Sequence, residues 1–350
     1  MKNMKRTLAL ALAIVMVFAL ASCAKKAPQE VVNVYNWGEY IDESIFKDFE
    51  KETGIKVNYS TFQSNEALYA SLELGGTDYD VIIPSDYMVE RLIAEGMLEK
   101  LNLANIPNVS MLYGGELTAQ YDPNAEYCIP YMWGTVGIIY NSAEITDDIT
   151  SWASMFDPAY AGNIIMFDNP RDAFGIATKY LGYSLNTTRE VEIRAAYELL
   201  VEQKAIVQSY DMDTIYDKLE GGSATIGVYY AGDYITMKEN NPDLKFVVPV
   251  EGSNVFTDAM CIPKGATNKT NAEKFINFMT STDVAIRNMD MTGYISLNAE
   301  AAEEFGADLD DEDYAVQFPS DAVLSRCEPF KHLPQDTLDL YAQLWADLKT

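Results

Sequence analysis

A single histidine, His332, serves the whole chain. That leaves little for imidazole-based proton transfer or for a zinc site. No G-x-S-x-G turn, phosphate-cradling loop or G-x-G-x-x-G fingerprint occurs either, so the common enzyme signatures are missing. Cysteine is almost as scarce, at four residues with no C-x-x-C spacing. Once Cys23 is set aside, Cys128, Cys261 and Cys327 remain, an odd number that makes no disulfide framework. Cys128 and Cys261 each precede Ile-Pro beside apolar or aromatic neighbours, and both are expected as buried free thiols. Outside the cytoplasm one pair can oxidise, and the sequence does not say which. The acidic run DLDDED places Asp313 where a calcium loop needs its turn glycine, so a solvated acidic face is expected there. Basic residues are few, 25 against 53 acidic ones, for a net charge of −28. Phosphate backbones would be repelled, which excludes nucleic acid as a partner. Acidity alone also serves solubility, but it favours and steers cationic ligands.

One long apolar run stands out, TLALALAIVMVFALA, after the basic start Lys2, Lys5 and Arg6. It is short for a membrane span and has the shape of a secretory signal. It ends in LASC, Leu20–Cys23, which resembles a bacterial lipobox. Residues 1–22 are therefore expected as a lipoprotein signal peptide, Cys23 as the lipidated new N-terminus and residues 23–30 as a polar tether. Removing residues 1–22 takes three basic residues and no acidic ones, leaving 22 Lys and Arg against 53 Asp and Glu, a net charge of −31.

Beyond the tether the first third alternates. VVNVYNW, IKVNYSTF and YDVIIPS read as strands. DESIFKDFEKETG, NEALYASLELGG and DYMVERLIAEG read as helices, with Asp42 and Asp86 placed to open two of them and Gly54 and Gly96 to close them. Strand–helix alternation predicts a parallel sheet covered on both faces, whose ligands sit beyond the carboxyl ends of the strands. YCIPYMWGTVGIIYNS is long and extended and is expected to cross into a second lobe. There GNIIMFDNPRDAFGIATKYLG repeats the strand–turn–helix pattern. VFTDAMCIP is expected to bring the chain back. The assignment is residues 31–137 with 260–322 for the first lobe, and 138–259 with 323–350 for the second.

The turns after these strands carry rings and acids together: Trp37, Glu39 and Tyr40 in one, Asp86 and Tyr87 in another, then Asp172 within DNPRD, Tyr229 and Tyr230 before AGD, and Phe256 with Asp258. An alkylammonium loses several kcal/mol of hydration on burial unless it is paired and hydrogen-bonded, which a carboxylate supplies. An aromatic face adds roughly 2 kcal/mol when desolvated and covers the methylenes between charges. Any one of these rings alone would read as core packing. Their conjunction with acids at several strand ends points to an organic polycation.

The segments YNWGEYI, KETGIKVNYSTFQSNEALYA, YDVIIPSDY, IPYMWGT, SWASMFDPAYAGNI, LGYSLNTT and TGYISLN run along nearly the whole chain after the signal. In order and spacing they resemble the extracytoplasmic spermidine/putrescine-binding proteins of polyamine ABC importers. The resemblance implies an α/β, two-lobed, type II periplasmic-binding-protein fold with the ligand in the interlobe cleft and hinge closure on binding. It also implies a non-enzymatic role without cofactor, in which a polyamine is delivered to a membrane permease from an extracytoplasmic, lipid-anchored position. By motif it assigns Trp37, Glu39 and Tyr40 to one end of the slot, with Ser85 and Tyr87 beside them. Asn169 and Asp172 stand where the family has two acids. Tyr230 and Phe256 stand where it has tryptophans, which keeps ring faces but weakens cation–π attraction. Asp258 matches the acid for a terminal amine, and Tyr294 a wall tyrosine. Gly38 replaces a hydroxyl residue, and Lys331 falls on a glutamine position. The matching carboxylates are thus Glu39, Asp172 and Asp258, which suit a diamine or a triamine and make putrescine a candidate beside spermidine. The second reading is a ferric-ion receptor of similar architecture, suggested by Tyr229–Tyr230. Adjacent strand residues point to opposite faces, so both rings reach one metal only from a turn. An extracytoplasmic hydrolase is the third, against the shortage of histidine.

Overall fold

The computed structural model describes residues 29–75, 78–112 and 121–350. The signal peptide at 1–22, Cys23 and the tether up to residue 28 lie outside the described residues.

Strand β1 (Val31–Trp37) shows the period-two logic of a covered sheet. Val32 and Val34 are buried on one face, against Ile45, Phe49 and Phe275, while Tyr35 is buried on the other with Phe62 and Ile82. Helix α1 (Ile45–Thr53) follows and ends at Gly54, whose positive φ of 75° suits glycine. Ser44 rather than Asp42 holds the cap position; the Asp42 carboxylate accepts from the Ser44 amide and hydroxyl instead. Then come β2 (Lys56–Phe62), α2 (Asn65–Leu74), β3 (Val81–Ile82) and α3 (Asp86–Ala94). Strand β1 pairs in parallel with both β2 and β3, so all three send their carboxyl ends to the same edge.

Strand β4 (Cys128–Asn141) joins the two halves. At about 3.3 Å per residue its fourteen residues span roughly 45 Å. Cys128–Thr135 pair antiparallel with β9 (Val255–Cys261), and Val136–Tyr140 pair with β7 (Ile226–Tyr230). Between β4 and β9 the second half is built from β5 (Ile164–Phe167), α4 (Pro170–Tyr180), α5 (Glu190–Gln203), β6 (Val207–Asp211), α6 (Thr214–Glu220), β7, α7 (Ala231–Asn240) and β8 (Leu244–Val247). Strands β5, β6 and β7 are parallel, and β8 pairs with the far end of β4. After β9 the chain adds α8 (Lys269–Met279), α9 (Thr282–Thr292), the short β10 (Ile295–Ser296) on β4, and α10 (Ala299–Asp308). Helices α11 (Asp311–Gln317), α12 (Asp321–Leu324) and α13 (Gln335–Lys349) complete it.

The cores divide along the same line. One cluster joins Val136–Met237 residues to Leu333, Tyr341 and Leu344 of the C-terminal segment. Two others cover the faces of the β1–β3 sheet. Residues 255–261 pair along Cys128–Thr135 of β4, within one continuous sheet. The acidic stretch Glu300–Asp313 does not face solvent alone: Lys238 bridges Asp310 and Asp313, and Lys245 bridges Glu312, which ties α11 to the second half.

Candidate functional site

The carboxyl ends of both parallel strand sets face each other across one cleft of ≈ 500 Å³. Each wall is a set of strand-to-helix turns: Trp37–Tyr40 after β1, Gln63–Asn65 after β2, Ser85–Tyr87 after β3, Asn169–Asp172 after β5, Met212–Asp217 after β6 and Tyr229–Asp233 after β7. Asp86, Asp172 and Asp233 all sit in the first turn of their helices. A helix start carries partial positive charge that repels a cation. An acid at each start reverses that field, so the turns present net negative charge to the cleft.

Asp258 lies on β9 at the floor and is 4% exposed. Its Oδ2 accepts from the Tyr40 hydroxyl at 2.8 Å, while Oδ1 is buried with no hydrogen-bond partner among the described residues. A buried carboxylate oxygen without a donor is costly, and a ligand N–H relieves that cost. Burial lifts the Asp258 carboxyl to about 6, although the Ser85 and Tyr40 hydroxyls favour its ion. Burial likewise lifts Asp172 to about 7, against the pull of Arg171. Asp233 also reaches about 7 through burial, although its Oδ2 accepts the Tyr294 hydroxyl. Asp86 is raised as well, first by burial; it is pinned by the Tyr87 amide at 2.7 Å.

The rings form a continuous wall. Tyr40 meets Tyr294 edge-on at 5.0 Å, Tyr294 meets Phe256 at 6.0 Å, and Phe256 meets Tyr230 at 5.5 Å. Gly232 makes room for this: a Cβ there would come within 2.4 Å of the Tyr294 ring. Tyr229 and Tyr230 both line the cleft with ring centroids 5.0 Å apart; Tyr230 is the last, still extended residue of β7 and caps α7. Among the described residues no group of three histidine, cysteine or acidic side chains is placed to hold a metal ion.

The structure brings Trp37, Glu39, Tyr40, Ser85, Tyr87, Asn169, Asp172, Tyr230, Phe256, Asp258 and Tyr294 onto this cleft. Their positions are not equivalent. Glu39 is exposed on a turn with φ 48°, so it stands at the rim. Tyr87 already donates its hydroxyl to Glu66, the Ser85 hydroxyl accepts from the Asn65 amide and keeps its own hydrogen, and the Asn169 side chain caps α4 through the Arg171 amide. Lys331 is exposed and does not line the cleft in this structure; its amide donates to Asn186 and its carbonyl accepts from Arg171. The neighbouring Phe330 lines the cleft instead, under the Arg171 guanidinium at 4.6 Å. Asp233, Asp213, Asp217 and Arg171 also line the cleft and were not predicted. The signal for Asp233 was present, an acid in the first helical turn after a strand, as at Asp86 and Asp172. Contacts already cross the cleft: Tyr294 to Asp233, Phe256 to Tyr230, and the His332 amide to Glu90 at 2.6 Å.

Residues 44–315 match the family model of bacterial extracellular solute-binding proteins. A spermidine/putrescine-binding periplasmic protein of Salmonella typhimurium is 36% identical over 282 residues, 80% of this chain and 81% of its own length. The putrescine-binding periplasmic protein SpuD of Pseudomonas aeruginosa is 30% identical, with 100% of this chain and 99% of its own length covered. A solved structure from Listeria monocytogenes, attributed to a spermidine/putrescine ABC transporter, superposes with a TM-score of 0.86 at 36% identity, over 92% of this chain and 99% of that one.

Proposed function

The chain belongs to the bacterial extracellular solute-binding proteins, and from that premise we propose that it captures a polyamine, spermidine or putrescine, outside the cytoplasm and presents it to the permease of an ABC importer. The observation that carries this reading is the unpartnered Oδ1 of Asp258 at the floor of a ring-walled cleft lined by further acids. Asp258 takes one terminal ammonium. Asp172 and Asp233, on the opposite wall, take the others, and Glu39 adds negative charge at the mouth. Trp37, Tyr230, Phe256 and Tyr294 cover the methylenes, with Tyr40 holding Asp258 in place. Tyr87 and Asn169 position the turns, since their polar groups are already engaged, and the Ser85 hydroxyl supports the Asp258 carboxylate. The chemistry is desolvation matched by fixed charge: each ammonium exchanges water for a carboxylate that burial alone leaves undersatisfied. The role read from this arrangement is binding without turnover, as in the transport binding proteins that the chain resembles. Calorimetric titration of ligand-free protein with putrescine, spermidine and spermine, set against acidic and neutral metabolites, tests it.

Two finer points belong to the same proposal. The lobes divide where the hydrogen-bonding changes partner, near residue 136 on the way out and near residue 254 on the return. Closure then swings the β5–β7 half about β4 and β9. The chain is also proposed to be held at the membrane by a lipid on Cys23, since LASC ends the only long apolar run and, among the described residues, no helix is long and apolar enough to cross a membrane. Cys23→Ala is expected to move the protein from the membrane fraction to the soluble extracytoplasmic fraction. An unchanged membrane fraction, extractable only by detergent, would remove the anchor.

A further inference from the structure

We propose that Cys128 and Cys261 close to a cross-strand disulfide on the oxidising side of the membrane, leaving Cys327 as the free thiol; this rests on the extracytoplasmic location and not on the identity of the ligand. The two cysteines are direct partners in the β4–β9 register. Their side chains share one face of the sheet, in the cluster with Met88, Val89 and Ala259. The pair is of the non-hydrogen-bonded kind. The Cys128 amide donates to Asp122 Oδ2 at 3.0 Å and not to β9. On β9 the Ala259 amide donates to Pro84 on the β3 side, and Cys261, two residues on in the same strand, faces that side too and pairs with Ile82. In such antiparallel pairs the Cα atoms lie about 4.5 Å apart and the side chains are closest. A disulfide needs Cα atoms roughly 4.4–6.8 Å apart, so the backbone already stands within bridging range. The Cys128 thiol donates to Asp122 Oδ2 at 3.4 Å and the Cys261 thiol to the Ala259 carbonyl at 3.7 Å; the adjacent Cys261 sulfur, burial and Asp122 hold the Cys128 thiol well above the usual range.

Cys327 cannot complete either alternative pair without rearrangement. It lies on the segment after α12, its thiol donates to the Val323 carbonyl at 3.5 Å, and that segment hydrogen-bonds to Ser253 and Asn254. Both partners of the proposed bond are buried, at 2% and 0% exposure. The bond therefore forms as the strands pair during folding, and not on the finished surface. Each thiol gives up its hydrogen, one S–S bond forms, and two electrons and two protons pass to a disulfide-bearing oxidant of that compartment, which becomes its dithiol. The consequence falls on the crossing strands. β4 leaves the first lobe and β9 returns to it, so the bond would fasten their register three residues from Asp258.

The test exports the full chain in a host with an oxidising periplasm, quenches it with N-ethylmaleimide in denaturant without reductant, and maps tryptic peptides by mass spectrometry. The expected result is the Cys128 peptide joined to the Cys261 peptide with no maleimide on either, and maleimide on Cys327. Maleimide on both Cys128 and Cys261, or a bond that includes Cys327, overturns the proposal. Cys327→Ala should leave the link intact. Reductant should lower the Tm of the wild-type protein by several degrees and leave that of the Cys128→Ala/Cys261→Ala double variant unchanged. Equal effects on both would also overturn it.

Discussion

Asp258→Asn is expected to weaken polyamine binding by about 2–5 kcal/mol, on the order of thirtyfold to several thousandfold in Kd. The magnitude follows from the setting. The carboxylate is buried, one oxygen is held by Tyr40, and the other has no partner among the described residues. Asn is nearly isosteric and its Oδ1 can still accept from Tyr40, so the floor of the cleft keeps its shape while the ligand's buried ammonium loses its counter-charge. Losing one member of a buried pair costs more than a surface pair is worth, because the remaining charge stays desolvated. Thermal melts of the ligand-free variant separate this from a folding defect. Removal of a buried, poorly satisfied carboxylate should leave stability equal or slightly higher. Near wild-type affinity in a titration would take Asp258 out of the site.

Lowering the pH from about 8 to about 5.5 is expected to weaken binding steeply while stabilising the empty protein. Burial holds Asp172 and Asp233 at about 7 and Asp258 at about 6 in the ligand-free fold. Amine groups of the ligand titrate far higher, near the ~10.4 of lysine, and stay charged throughout. Binding needs the carboxylates ionised, so each one that protonates costs about tenfold in affinity per pH unit below its own value. Binding near pH 6–7 should also release protons, seen as a dependence of the calorimetric heat on the buffer. For the empty fold the sign is opposite. These three carboxyls titrate higher folded than their unfolded value of about 3.8, so their contribution to stability is fully present below that value and is lost as pH rises through 6 to 7. The Tm of ligand-free protein should therefore rise on mild acidification, while the Tm gain from added polyamine shrinks. Affinity flat across this range would mean that the carboxylates facing the ligand are not the buried ones.

Most of the first half of the fold was legible because its helices and strands carry strong periodicity and clear stops. Val32, Val34 and Tyr35 alternate as a doubly covered strand must, and Gly54 ends α1 in the left-handed region. The strand-end turns were legible for the same reason: where a parallel strand stops, its turn faces the cleft, which is how Trp37, Asp172 and Tyr230 could be gathered from distant stretches, whereas Asp258 was expected in such a turn and lies inside the antiparallel strand β9. What the residues could not reveal was depth. Glu39 and Asp258 look alike as letters, yet one stands on an exposed turn and the other is buried under Tyr40. Asp233 follows two tyrosines that dominate the local pattern, although its place in the first turn of α7 matches that of Asp172 in α4. The place of Lys331 was hard to read because the segment before α13 has no regular element to fix its register. There Arg171 binds the Lys331 carbonyl and turns Phe330, not the lysine, to the cleft. The side of the strand pair on which Cys128 and Cys261 meet depends on the β4–β9 register, which alternation alone does not set.

The central claim, that fixed carboxylates among aromatic rings between the lobes replace the hydration of a flexible organic cation, is tested most directly by titration calorimetry on protein unfolded, dialysed free of ligand and refolded. The account predicts one site per chain, saturable binding of putrescine or spermidine near neutral pH, and no heat from acidic or neutral metabolites at the same concentrations. No response to any polyamine, with tight binding of an acidic or neutral metabolite, would contradict it.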